Sequence, residues 1–400
     1  MDTERLHIVG AGVGLCGVGM LASPPLVNKC SFDCISYEQE TDNSKEQERN
    51  SMSQGINSGW PINDSGQYAF PHSLYTSLNL IQTSGAKWLR LNFRLGSYYK
   101  DWITPGANGL NALQSYDIVV NAALNAGLQV LGLLSNESWP GNQTQWTANN
   151  AENTPGGNGD NPYLQAFSQN AAVVIASHFD GKIGLWEVWN EPNAWSSNPS
   201  PGVYSGSSFI YPSNFAWLLH HIYNDVKSNY TRDVRFVSGG LFGNDLGPIL
   251  STSSGADYIA ATYRAGIAHA NWSTDLSMNG SYPLDSIGMH LYIDQGRSTS
   301  AAKITQYLQA VRASYVNYEG GNTNKQLLLT EIGWTTATVA AQIQASNLST
   351  TYITTKALPY VKDVYWFSIQ DIPEANQAYG LFDGSGNAKP SLAAYQQSGK

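Results

Sequence analysis

Two glutamates sit in phrases that could carry acid–base chemistry. One is Glu191, in Trp189-Asn190-Glu191-Pro192-Asn193; the other is Glu331, in Leu329-Thr330-Glu331-Ile332-Gly333-Trp334. Each follows a short apolar run, where a buried carboxylate is costly unless it has a partner or a task. Two carboxyl groups facing one acetal can split it. One donates a proton to the departing oxygen, and the other attacks the anomeric carbon or activates water. For attack, one of the two must be ionised while the other keeps its proton, and the charge on the first disfavours ionising the second. Once the attacking carboxyl is esterified that repulsion vanishes, and the other can deprotonate an incoming water. Neither step calls for a metal or an organic cofactor, and none is expected.

Residues so far apart in the chain need a fold that brings strand ends together. From about residue 52, short apolar runs alternate with helix-like segments. The expected strands are 53–57, 88–93, 129–134, 183–190, 234–240, 286–292, 326–331 and 364–369, with helices over 110–127, 163–179 and 257–270 among the connections. Eight strands alternating with helices predict a closed (β/α)8 TIM barrel over residues 52–400, with an open doubly wound sheet as the alternative. In such a barrel chemistry gathers on the loops after the C-terminal strand ends. The loops after the third and fourth strands are long and rich in Asn, Gly, Ser and Trp, as functional loops often are.

The pairing resembles the clan A glycoside hydrolases, in which the fourth strand ends in Asn-Glu-Pro and the seventh in the nucleophilic glutamate. The resemblance runs over roughly residues 52–396. It implies retention of anomeric configuration, with Glu191 as acid/base, Glu331 as nucleophile and Asn190 on the sugar's 2-hydroxyl. Arg90, in Lys87-Trp88-Leu89-Arg90-Leu91-Asn92, resembles the clan's second-strand arginine that orients the nucleophile. His290-Leu291-Tyr292 resembles its His-x-Tyr, with the tyrosine hydroxyl on the nucleophile. Trp366 resembles the tryptophan floor beneath the cleaved sugar, and Trp334 is a further stacking candidate, with Trp139, Trp146 and Trp195 in the loops. The ending Tyr379-Gly380-Leu381-Phe382-Asp383 resembles the clan's final turn. Glu187 is expected to be the buried partner of an arginine. Where family 5 members often carry a histidine after the third strand, this chain has Ser135-Asn136-Glu137; Trp186 to Asn193 leans towards family 39.

Composition suits a large core with many loops or, alternatively, a carbohydrate surface, and it disfavours nucleic acid. Only 13% of residues are charged, the formal net charge is -9, and aromatics reach 12%, with 12 Trp and 23 Tyr. A nucleic-acid backbone would demand a basic face. Neutral polyols are instead held by ring stacking and hydrogen bonds. The resemblance implies a poly- or oligosaccharide as partner, and a monomer is the expected state. No appended β-sandwich is legible, which favours an endo-acting β-glycanase over an exo-acting β-xylosidase. A carbohydrate-binding barrel without catalysis is a further alternative.

Residues 1–51 read differently. The apolar, glycine-rich run over 6–22 matches an export or anchoring segment, followed by a polar linker. A secreted or cell-surface location follows, with membrane association expected only through residues 6–22. Gly12, Gly14 and Gly17 have dinucleotide-fingerprint spacing, but Ser23-Pro24-Pro25 stops the helix that fingerprint needs. The three cysteines, Cys16, Cys30 and Cys34, lie in this segment and make neither a disulfide framework nor a zinc site.

Overall fold

Short apolar runs separated by helical segments cannot pair as hairpins; they pair in parallel, with a crossover between each. The computed structural model describes residues 52–58, 74–194, 208–229, 233–243, 255–321 and 324–399. Its strands are β1 (Ser53–Asn57), β2 (Trp88–Asn92), β3 (Gln129–Leu134), β4 (Leu185–Asn190), β5 (Arg235–Gly243), β6 (Ser286–Leu291), β7 (Gln326–Ile332) and β8 (Val361–Phe367). Each pairs in parallel with its sequence neighbour and β1 closes on β8, so the sheet is the expected barrel. The helices Ala112–Asn125, Pro212–Asn229, Gly255–His269, Ala301–Val316 and Ala341–Lys356 are among the crossovers.

Alternation sorts the side chains into two cores. Leu131, Leu185, Val237, Leu328 and Tyr365, with Trp88 against them, fill the lumen. The other faces of the strands join the helices in one large outer core. Gly55 leaves room for Tyr365 to cross the lumen, since a Cβ there would lie 2.2 Å from its ring.

Most strands fall within one to three residues of their expected bounds. The eighth begins at Val361, three residues early, because Asp363 accepts the Ser53 backbone N–H at 3.1 Å and the charged Lys362-Asp363 step is accommodated in the sheet. The helix expected over 163–179 is interrupted by a π-helical turn, Ser168–Ala172. The apolar run 6–22, the linker behind it and Trp195 lie outside the described residues. Among the described residues no helix is long and apolar enough to cross a membrane.

Candidate active site

The end of β4 is where the chain departs from regular strand geometry. Strict alternation would put Leu185, Glu187 and Trp189 into the lumen and leave Asn190 outside. Instead Trp189 has φ +76 and Glu191 φ +46, the left-handed region that bulky residues avoid. The first of these turns Trp189 outward, where it packs on Trp146 and donates its Nε1–H to Ser208 O at 2.7 Å. Asn190 and Glu191 then both face the mouth. Strain in two adjacent-but-one residues is held by this packing and concentrates where function is expected.

Glu331, at the end of β7, is surrounded by donors. Its Oε2 accepts from Asn57 Nδ2 at 2.5 Å and from Arg90 Nη1 at 3.3 Å. Its Oε1 accepts from the Tyr292 hydroxyl at 2.5 Å. Burial, and then the charge of Glu331 beside it, hold the Tyr292 hydroxyl well above the ordinary tyrosine range, so it remains a donor. Three donors thus converge on this one carboxyl.

Arg90 is the hub. Its Nε binds Glu187 Oε2 at 2.5 Å, and Glu187, fully buried, also takes the Thr330 hydroxyl at 2.7 Å. Burial opposes the guanidinium charge, but Glu187 and Glu331 outweigh it and hold Arg90 above its ordinary range. Its Nη2 reaches Asn190 Oδ1 at 3.2 Å and His290 Nε2 at 3.3 Å. A guanidinium can only donate, so His290 Nε2 accepts and its proton resides on Nδ1. That Nδ1–H donates to Glu191 Oε1 at 2.8 Å. A proton on Glu191 must therefore be carried by Oε2. Gly240 makes room for this imidazole, since a Cβ there would lie 2.1 Å from His290 Nε2.

One oxygen of Glu191, one of Glu331 and one His290 nitrogen lie within 4.8 Å of one another. The trio has metal-ligand spacing, but both ring nitrogens of His290 are already engaged by Arg90 and Glu191. The two glutamates retain 22% and 16% side-chain exposure and are open to the mouth.

Arg90 and His290 are buried and touch the carboxyl groups, which makes them positioning residues. The two tryptophans expected to stack on sugar are buried as well. Trp366 is fully buried and donates Nε1–H to Tyr379 O at 3.0 Å. Its register partners are Ile56 and Ile332, and residues in register share a face, so it points away from the mouth. The ring in the mouth is its neighbour Phe367, in register with Asn57 and half-buried. Phe367 packs on Tyr379 at 5.4 Å between ring centroids, and Tyr379 on Tyr292 at 6.1 Å. Trp334 is also fully buried, with Nε1–H on Ile293 O at 2.9 Å. Asn57 was not singled out in the sequence; the one available signal is that it is the polar residue ending β1.

No family model matches the chain, and no curated protein matches its sequence. Solved structures do match in fold. The family 39 glycoside hydrolase from Bacteroides cellulosilyticus WH2 gives a TM-score of 0.56 at 18% identity, covering 88% of this chain, which spans 64% of that structure's length. GH5_18 from Streptomyces cattleya, solved with GlcNAc, gives 0.54 at 14% identity over 87% of this chain and 79% of its own. Xylanase 10B from Thermotoga maritima gives 0.52 at 15% identity over 88% and 95%. At these identities the likeness is one of fold: the chain shares the barrel of these glycoside hydrolases.

Proposed function

We propose that the chain is a retaining glycoside hydrolase, cleaving β-glycosidic bonds of a poly- or oligosaccharide by double displacement. The observation that carries this reading is the close approach of the Glu191 and Glu331 oxygens, within 4.8 Å, with three donors on Glu331 and one on Glu191. Retaining pairs stand about 5–5.5 Å apart, whereas inverting pairs stand about 6.5–9.5 Å apart to admit a water. Glu331, fixed by Asn57, Arg90 and Tyr292, attacks the anomeric carbon. Glu191 delivers its Oε2 proton to the leaving oxygen, then takes a proton from water. Asn190 Oδ1 is occupied by Arg90, which leaves Nδ2 to donate to a sugar hydroxyl beside the reacting carbon. Phe367 offers the ring face on which that sugar rests.

Endo action is the proposed mode, and exo action on a terminal sugar is the alternative. Export by way of residues 6–22 and a monomeric state belong to the same reading; cell fractionation and light scattering test them. The activity itself is tested by reducing-sugar release from β-glucans, xylans, mannans and galactans. NMR of the first-formed product reports the anomer: β-configured product agrees with retention, and α-configured product contradicts it. A hexasaccharide cut internally supports endo action, while release of single sugars alone supports exo.

A further inference from the structure

Beside the catalytic pair, at the corner where β2 meets β3, stands a carboxylate that the mechanism does not use. Glu137 Oε1 binds Arg94 Nη2 at 3.0 Å, and Oε2 accepts from Asn92 Nδ2 at 3.0 Å. Its backbone is pinned as well, with Leu95 N–H donating to Glu137 O at 3.1 Å and Glu137 N–H to Ser135 Oγ at 3.2 Å. The Glu137 side chain keeps 29% of its exposure, whereas Asn92 is buried. An ordinary surface ion pair leaves two long side chains free to move. This carboxylate is held at both oxygens and still open to solvent.

Its place follows from β2. Trp88, Arg90 and Asn92 share the lumen-facing side, in register with Gln129, Leu131 and Leu133. Arg90 touches Glu331 and Asn190, and Asn92 lies two residues further towards the mouth, about 7 Å along the strand. Glu137 therefore stands at the same end of the barrel as Glu331. Because the carboxylate can only accept, it fixes the Asn92 amide with Nδ2 towards it, and Asn92 Oδ1 is left buried and without a partner among the described residues. The open group of the corner is thus the Glu137 carboxylate, whose remaining lone pairs can accept from O–H donors while Arg94 offsets its charge.

We infer that Glu137 is a specificity-determining residue, accepting a hydrogen bond from a hydroxyl of a sugar bound at or next to Glu331. The inference deepens the hydrolase reading but is measured without turnover. The chain carrying Glu331→Ala is titrated calorimetrically with the 4-nitrophenyl β-glycosides of glucose, xylose and mannose. At least one of the three is expected to bind more tightly than the others. Adding Glu137→Gln should weaken that glycoside about 10- to 100-fold, the loss expected for a hydrogen bond to a charged group. It should also narrow the gap to the other two. Glu137→Asp, which keeps the charge but shortens the reach, should weaken the preferred glycoside as well. Unchanged affinity in Glu137→Gln overturns the inference. So does a parent that binds all three equally, or binds none of them. Selective binding by the parent, with no glycan cleaved by the unsubstituted chain, removes the hydrolase reading and supports this one.

Discussion

Both ends of the barrel lumen bury a carboxyl group, and they treat it in opposite ways. At the mouth, Glu187 is fully buried but has a guanidinium on one oxygen and the Thr330 hydroxyl on the other. At the floor, Asp363 has the Ser53 N–H at 3.1 Å and a bond from the Ser53 side chain, with Lys362 and Arg235 as nearby charges. Burial outweighs them and pushes the Asp363 carboxyl up to about 6. The mouth holds its charges in place because Arg90 must also orient Glu331, Asn190 and His290. Nothing at the floor needs a fixed charge, and desolvation prevails there.

Breaking the mouth should cost the most. Arg90→Met leaves Glu187 buried with only Thr330 and unhooks Glu331 and His290. Stability should fall by about 3–5 kcal/mol in urea unfolding, the usual result of removing one member of a buried pair. A loss below about 1 kcal/mol would show that Glu187 does not depend on that guanidinium. The floor should respond with the opposite sign. The folded state binds the Asp363 proton more tightly than the unfolded chain, so this group's contribution is full below about pH 4 and is lost as pH rises through about 6. Asp363→Asn should accordingly stabilise the protein at pH 7 by about 2–3 kcal/mol, with the advantage fading below pH 4. A constant difference across pH 3–8 would contradict the assignment.

The smallest effect separates two adjacent rings. Phe367→Ala should lower kcat/KM about fivefold, the scale of one ring contact of about 1 kcal/mol, with little change in melting temperature. Trp366→Phe should lower the melting temperature and leave KM nearly unchanged. The reverse pattern would return Trp366 to the mouth.

The same contrast explains how far the sequence could be read. Strands were legible because alternating apolar runs between helical segments admit few arrangements. The glutamates were legible because each ends such a run, and Glu187 because an acid inside a buried strand needs a cation. The left-handed Trp189 was not legible: no local residue type calls for it, and only the pocket around Trp146 and Ser208 rewards it. Trp366 is misplaced for a related reason. In a strand one residue's shift changes the face, and the charged Lys362-Asp363 step hides where β8 begins. Asn57 gives only a weak signal, since its partner Glu331 is 274 residues away. Ser135-Asn136-Glu137 is visible in the sequence only as a departure from family 5, because the partners of Glu137, Asn92 and Arg94, come from the strand and loop before it.

The central claim is that Glu331 forms the bond to the sugar and Glu191 handles the protons, and pre-steady-state kinetics on an activated aryl glycoside tests it most directly. Such a leaving group needs little protonation, so Glu191→Ala should release it in a rapid burst. Turnover should then be slow, because water lacks its base, and azide, which needs no deprotonation, should restore it. General acid–base assistance is worth about 10²–10⁴-fold, which sets the depth of the slow phase. Glu331→Ala should show no burst. Equal losses on activated and natural substrates in Glu191→Ala, with no response to azide, would contradict the assignment.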